Sequence, residues 1–113
     1  MNLLIVEDNA RMRRMIKQVV GDLAERVDEC EDGADALACY AANLPDWVLM
    51  DIQMKNTDGL TATRQIKAAF ADAIIVIVTN FDDTHFRQSA HDAGAFDYVL
   101  KENLLDVRRI LAA

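Results

Sequence analysis

The chain carries only two cysteines, Cys30 and Cys39, and they form neither a CxxC pair nor a Cys/His cluster. That argues against a zinc site and predicts two free thiols in a reducing compartment. Positive charge is scarce too. Twelve Lys and Arg face nineteen Asp and Glu, a formal net charge of −7. A nucleic-acid module presents a basic face, so direct DNA or RNA binding by this domain is not expected. Long apolar runs are missing. The N-terminal Met-Asn-Leu-Leu-Ile-Val-Glu-Asp is too short for the apolar region of a signal peptide, and no basic stretch precedes it. The run from Ala73 to Val78 is far too short to span a membrane. The expectation is a cytoplasmic chain without membrane contact. No linker or low-complexity segment interrupts it.

What is present fits one globular domain. The chain has 113 residues, of which 52% are hydrophobic and 27% charged. That length can bury a single core without staples. The one basic segment, Arg11, Arg13, Arg14 and Lys17, reads first as a solvated helix face and second as a docking patch for an acidic partner.

Apolar runs at Leu3–Val6, Trp47–Met50 and Ile74–Val78 suit strands buried on both faces. Arg26–Cys30 and Phe96–Leu100 are more polar and suit edge strands. Helical patterns lie between. Met12, Met15, Ile16, Val19, Val20 and Leu23 keep helical spacing. Ala34, Leu37, Ala38 and Ala41 make a weaker stripe, with Asp32 as its N-cap. Further helices are predicted from Asp58 or Gly59 to Phe70, from Asp83 to Ala93 with Gly94 as the stop, and from near Asn103. Trp47 and the methionines read as core, and His85 and His91 as solvated. Strand and helix alternate throughout, which predicts an α/β fold with a parallel sheet. The two polar strands, second and fifth, belong at the edges. That gives the flavodoxin-like, doubly wound order 2-1-3-4-5 with five helices.

Ligands of such sheets bind beyond the carboxyl ends of the strands. Glu7 and Asp8 follow the first strand, and Asp51 ends the third. Thr79 closes the fourth, and Lys101 the fifth. Three acids and one amine converging on a rim crowd like charges, and a divalent cation relieves that. Hard oxygen ligands near a Lys suit Mg²⁺ and phosphoryl chemistry, with a carboxylate as nucleophile. The plainer reading is that acids after strands cap helices. Asp8 could do so, but capping leaves Asp51, Thr79 and Lys101 unexplained.

Five stretches carry a family resemblance over essentially the whole chain: Leu-Ile-Val-Glu-Asp at 4–8, Val-Leu-Met-Asp-Ile at 48–52, Asp-Gly at 58–59, Ile-Val-Thr at 77–79, and Gly-Ala-Phe-Asp-Tyr-Val-Leu-Lys at 94–101. In these the sequence resembles the receiver (CheY-like) domains of bacterial two-component response regulators. The resemblance implies a phosphorelay domain that is not an enzyme in its own right. It implies Asp51 as phosphoacceptor and Mg²⁺ held by Glu7, Asp8, Asp51 and the Gln53 backbone carbonyl. It implies Lys101 and Thr79 as phosphoryl contacts and Tyr98 as an aromatic switch. By position alone, Tyr98 reads as half-core packing. The implied partners are a histidine kinase or phosphohistidine protein, and an output domain or downstream protein. A homodimer on phosphorylation is left open.

The sequence departs from the family at Lys55 and Glu102, where prolines are usual. The first departure predicts a looser loop after the third strand, and the second a trans peptide after Lys101. Asn80 is bulkier than the usual small residue. Gln53 and Phe81 provide no carboxylate to orient water, which predicts a long-lived phosphoryl group. Lys-Glu-Asn at 101–103 is similar to receivers of NarL/LuxR type, which implies transcription regulation by a longer chain. Residues 1–113 are expected to be a single receiver domain with no output domain. Two rivals are weighed. A pseudo-receiver should have lost an acid or Lys101. A phosphohydrolase of haloacid-dehalogenase type should carry Asp-x-Asp where this chain has Glu7-Asp8-Asn9.

Overall fold

A computed structural model describes residues Met1–Ala113. Five strands, β1 Asn2–Val6, β2 Arg26–Cys30, β3 Trp47–Met50, β4 Ile75–Thr79 and β5 Asp97–Leu100, form one parallel sheet of order β2-β1-β3-β4-β5. The helices are α1 Ala10–Val20, α2 Ala36–Asn43, α3 Gly59–Ala69, α4 Thr84–Ala93 and α5 Leu104–Ala112. Short 3₁₀ turns lie at Gly21–Leu23, Gly33–Asp35 and Lys101–Asn103. The predicted architecture is the one observed.

Strand alternation sends side chains to two cores. Leu3, Ile5, Leu49, Val76 and Val78 pack with Ile16 and Val20 of α1 and Val107 and Leu111 of α5. Leu4, Val6, Val48, Met50, Ile75 and Ile77 pack beneath α2, α3 and α4. Leu3, Leu4, Ile5 and Val6 are all wholly buried, and each such side chain contributes about 1.5–3 kcal/mol.

Helix ends follow their cap chemistry. Asn9, not Asp8, caps α1, its side chain accepting from the Met12 N–H at 2.9 Å. Asp58 caps α3 and Asp83 caps α4. Gly94 ends α4 in the left-handed region at φ 99°, where glycine carries no Cβ penalty.

Several expectations are corrected. The stripe Ala34, Leu37, Ala38, Ala41 is not the buried face of α2. The buried pair is Ala36 and Tyr40, because the turn Gly33–Asp35 precedes the helix and shifts its phase. Asp32 caps that turn rather than α2. Met15 is 41% exposed, and Met50 is the only fully buried methionine. Trp47 is half-buried and meets Phe96 edge-on at 5.5 Å. Arg13 is not a solvated residue. It bridges Glu29 at 3.0 Å and donates to the Glu7 carbonyl at 2.8 Å. Lys17 also pairs with Glu29, so Arg11 and Arg14 remain as the free cations of that segment.

Cys30 is buried at the end of β2, and Cys39 is half-buried on α2. Burial pushes the Cys30 thiol up to about 11, and a thiol is a poor nucleophile until ionised. Iodoacetamide at mildly alkaline pH should therefore modify Cys39 well before Cys30, as read by peptide mass mapping. Equal rates at both positions contradict this.

Candidate functional site

The strand registers build the site. Val6 pairs with Met50 and Thr79 with Leu100, so Glu7, Asp51 and Lys101 each come one step past a paired position. The Asp51 N–H donates to the Val6 carbonyl at 3.0 Å, and the Glu7 N–H to the Cys30 carbonyl at 3.0 Å. By alternation, Glu7 shares a face with Ile5, Asp51 with Leu49, and Lys101 with Val99. That is the α1/α5 side. Three residues 44 or more positions apart in the chain therefore meet.

Lys101 Nζ lies 2.6 Å from Glu7 Oε1 and 3.2 Å from Asp51 Oδ2. Glu7 is 2% exposed and Asp51 6%. Glu7 Oε1 has no aligned hydrogen-bond donor, and the ion pair alone compensates it. Burial pulls the Lys101 pKa down. The close Glu7 carboxylate and the Asp51 charge outweigh burial and hold it above the usual lysine value. Asp8 stands at the exposed edge. Its carboxyl is pushed up chiefly by the close approach of the Glu7 carboxyl, then by burial and by the Glu7 charge. The three carboxylates present oxygens within 4.8 Å of one another, an acidic cluster able to hold a metal ion.

A cavity of about 450 Å³ opens here, lined by Glu7, Asp8, Asp51, Gln53, Thr79 and Lys101 among others. Every sequence-predicted phosphoryl-contact and metal residue is in that lining. Tyr98 is not. It is half-buried on β5 and its hydroxyl donates to the Phe81 carbonyl at 2.5 Å. The Arg87 guanidinium covers its ring at 4.6 Å. Thr79 is fully buried, and its hydroxyl oxygen accepts from the Phe81 N–H at 3.3 Å. Phe81 thus stands between Thr79 and Tyr98, a link that the sequence reading did not make.

The loop after β3 is tied down despite lacking the family proline. Ile52 donates its N–H to Asp51 Oδ1 at 2.8 Å and accepts from the Gly59 N–H at 2.7 Å. Asp32 accepts from the Asn56 and Thr57 N–H groups at 2.8 and 3.0 Å. The expected loosening gives way to these bonds. No peptide bond is cis, so the one after Lys101 is trans as predicted. Gly59 is required by close approach: a Cβ there would stand 1.7 Å from the Asp51 carbonyl oxygen. Gly59→Ala should lose about 1–3 kcal/mol of stability, read as a lower urea midpoint. An unchanged midpoint would show that the loop yields freely.

Residues 3–113 match the family model described as the response regulator receiver domain. The chain belongs to the response regulator receiver family. This receiver domain is 40% identical over 112 residues to the chemotaxis protein CheY of Bacillus subtilis, covering 98% of the chain and 92% of that relative. It is 33% identical to the response regulator MprA of a Mycobacterium species, covering 92% of the chain but 45% of that longer relative. Among solved structures, a LuxR-family two-component response regulator from Aurantimonas superposes with a TM-score of 0.86 at 27% identity, covering 98% of the chain and 84% of that one. The CheX–CheY–BeF3–Mg complex of Borrelia burgdorferi has the same fold, with a TM-score of 0.88 at 21% identity, covering 98% of the chain and 87% of that one. The chain is thus a receiver domain of two-component signalling. No helix in it is long and apolar enough to cross a membrane.

Proposed function

We propose that this receiver domain takes a phosphoryl group onto Asp51 from a phosphohistidine protein, with Mg²⁺ bound beside it, and so switches an output domain or partner. The observation that carries this reading is the cavity itself. Three carboxylates and one partly buried ammonium carry a formal charge of −2, and Lys101 lies within 3.2 Å of both Glu7 and Asp51. The donor set suits Mg²⁺: hard carboxylate oxygens gathered within 4.8 Å, with Asp8 at the exposed edge. Asp8, Asp51 and the Gln53 carbonyl would hold the ion, with Glu7 acting through water. When bound, Mg²⁺ supplies positive charge for the phosphoryl oxygens.

Asp51 is held for attack. Ile52 fixes Oδ1 and Lys101 faces Oδ2. The Oδ–P bond forms as the donor's P–N bond breaks, and the freed imidazole nitrogen takes a proton from solvent. Lys101 then stays with the new phosphoryl oxygens. Asn9 caps α1, so Asp8 is free of capping and available to the ion. The family's phosphoacceptor role makes the domain a signalling part rather than a turnover enzyme. A cytoplasmic setting suits such a donor.

The switch runs through Phe81. If the Thr79 hydroxyl turns to the phosphoryl group, it gives up the Phe81 N–H, and Phe81 in turn holds Tyr98. The face of α4 and β5 then changes shape, and a partner preferring that shape shifts the equilibrium. A shallow groove beside the cavity, lined by Asn9, Arg11, Met12, Met15, Asn80 and Lys101, is where the donor protein would rest. Homodimerisation on phosphorylation remains part of this proposal.

The test is intact-mass measurement after incubation with a small phosphodonor. A gain of one phosphoryl group with Mg²⁺, absent with a chelator, is expected. No gain at saturating Mg²⁺ overturns the reading.

A further inference from the structure

Asp32 is buried, at 7% exposure, although it belongs to the loop after β2 and not to the acidic cluster. Its carboxylate accepts three backbone N–H groups. Ala34 at 2.9 Å is the local turn cap, which any Asp at such a position makes. Asn56 at 2.8 Å and Thr57 at 3.0 Å are 24 and 25 residues away. Those two bonds reach across to the loop between β3 and α3. The Asp32 carboxyl is held below the usual range, first by the Ala34 N–H and then by those of Asn56 and Thr57. Two neighbours tighten the junction. The Cys30 thiol donates to the Asp32 carbonyl at 3.1 Å. Gly33 lies so close that a Cβ would stand 2.4 Å from the Thr57 carbonyl oxygen.

Gln53 lies in the stretch that these bonds bracket. Ile52 is tied to Asp51 and Gly59 on one side, and Asn56 and Thr57 are tied to Asp32 on the other. Proline, the family's usual means of stiffening this loop, is absent at Lys55. We propose that Asp32, seated by Gly33, is a positioning residue for the cation site. It fixes the loop that offers the Gln53 carbonyl and so lowers the ordering cost of binding a divalent ion. This rests on the reading of the cavity as a Mg²⁺ site.

The test is calorimetric titration of Mg²⁺ into the whole chain, with no phosphodonor present. Asp32→Ala should bind Mg²⁺ roughly tenfold more weakly, and phosphoryl uptake should recover at saturating Mg²⁺. Gly33→Ala keeps the charge and pushes the same loop, so it should weaken binding in the same direction. Asp35→Asn removes a nearby charge that makes no cap hydrogen bond, and should bind as wild type. If Asp32→Ala does not fold, Asp32→Asn replaces it; it keeps the Oδ1 acceptor for Ala34 and Thr57 and loses the one for Asn56. Wild-type affinity in folded Asp32 and Gly33 variants overturns the proposal. So does equal weakening in Asp35→Asn, which points to charge alone. If the wild-type chain itself binds no Mg²⁺, the reading of the cavity fails first.

Discussion

Asp51→Asn should take up no phosphoryl group from a small phosphodonor, at any Mg²⁺ concentration, while keeping the circular dichroism of the wild type. The substitution is conservative for structure. An amide oxygen at Oδ1 still accepts from the Ile52 N–H, now at 2.8 Å. Lys101 keeps Glu7, its shorter contact at 2.6 Å. What disappears is the nucleophile, because a neutral amide does not attack phosphorus as a carboxylate does. One of three crowded negative charges is also lost, so Mg²⁺ should bind more weakly. Intact mass measures the first effect and calorimetry the second. A phosphoryl group on the variant would move the acceptor to another residue.

Lys101→Met should cost the most stability of any single change at this site, and Mg²⁺ should give much of it back. Methionine keeps the apolar stem and removes the ammonium. Glu7, at 2% exposure, then has no cation against Oε1. Breaking a buried ion pair by removing one partner costs about 3–5 kcal/mol. The lower end applies here, because the cavity is open and admits water. In the variant a bound ion meets a formal charge of −3 rather than −2. It should therefore raise the urea midpoint further than it does in wild type. The measurement is urea denaturation of both proteins in chelator and in Mg²⁺. Equal midpoints in chelator would mean that Lys101 does not compensate Glu7.

Both expectations depend on how local signals combine over distance. The strands at Leu3–Val6 and Trp47–Met50 were readable because a short unbroken apolar run is a property of neighbouring residues. The polarity of Arg26–Cys30 and Phe96–Leu100 placed those strands at the edges, and so the strand order followed. From the order came the rim, and from the rim Glu7, Asp8, Asp51, Thr79 and Lys101. The weak stripe around Ala34 failed because small residues give little phase information, and the turn at Gly33–Asp35 set the phase instead. Asp32-Gly33 follows a strand much as Asp58-Gly59 follows the β3 loop, a repeated Asp-Gly signal that a sequence reading could have weighed.

By itself the sequence determined the α/β alternation, the order of the sheet and the residues that gather at its carboxyl edge, because period and polarity act within a few residues. Only the tertiary structure decided which partner each polar group takes. Lys101 lies closer to Glu7 than to Asp51, Asn9 rather than Asp8 caps α1, Arg13 turns in toward Glu29, and Asp32 reaches Asn56 and Thr57. Those choices turn on differences of an ångström between groups far apart in the chain, which packing of the helices against the sheet sets and local pattern does not.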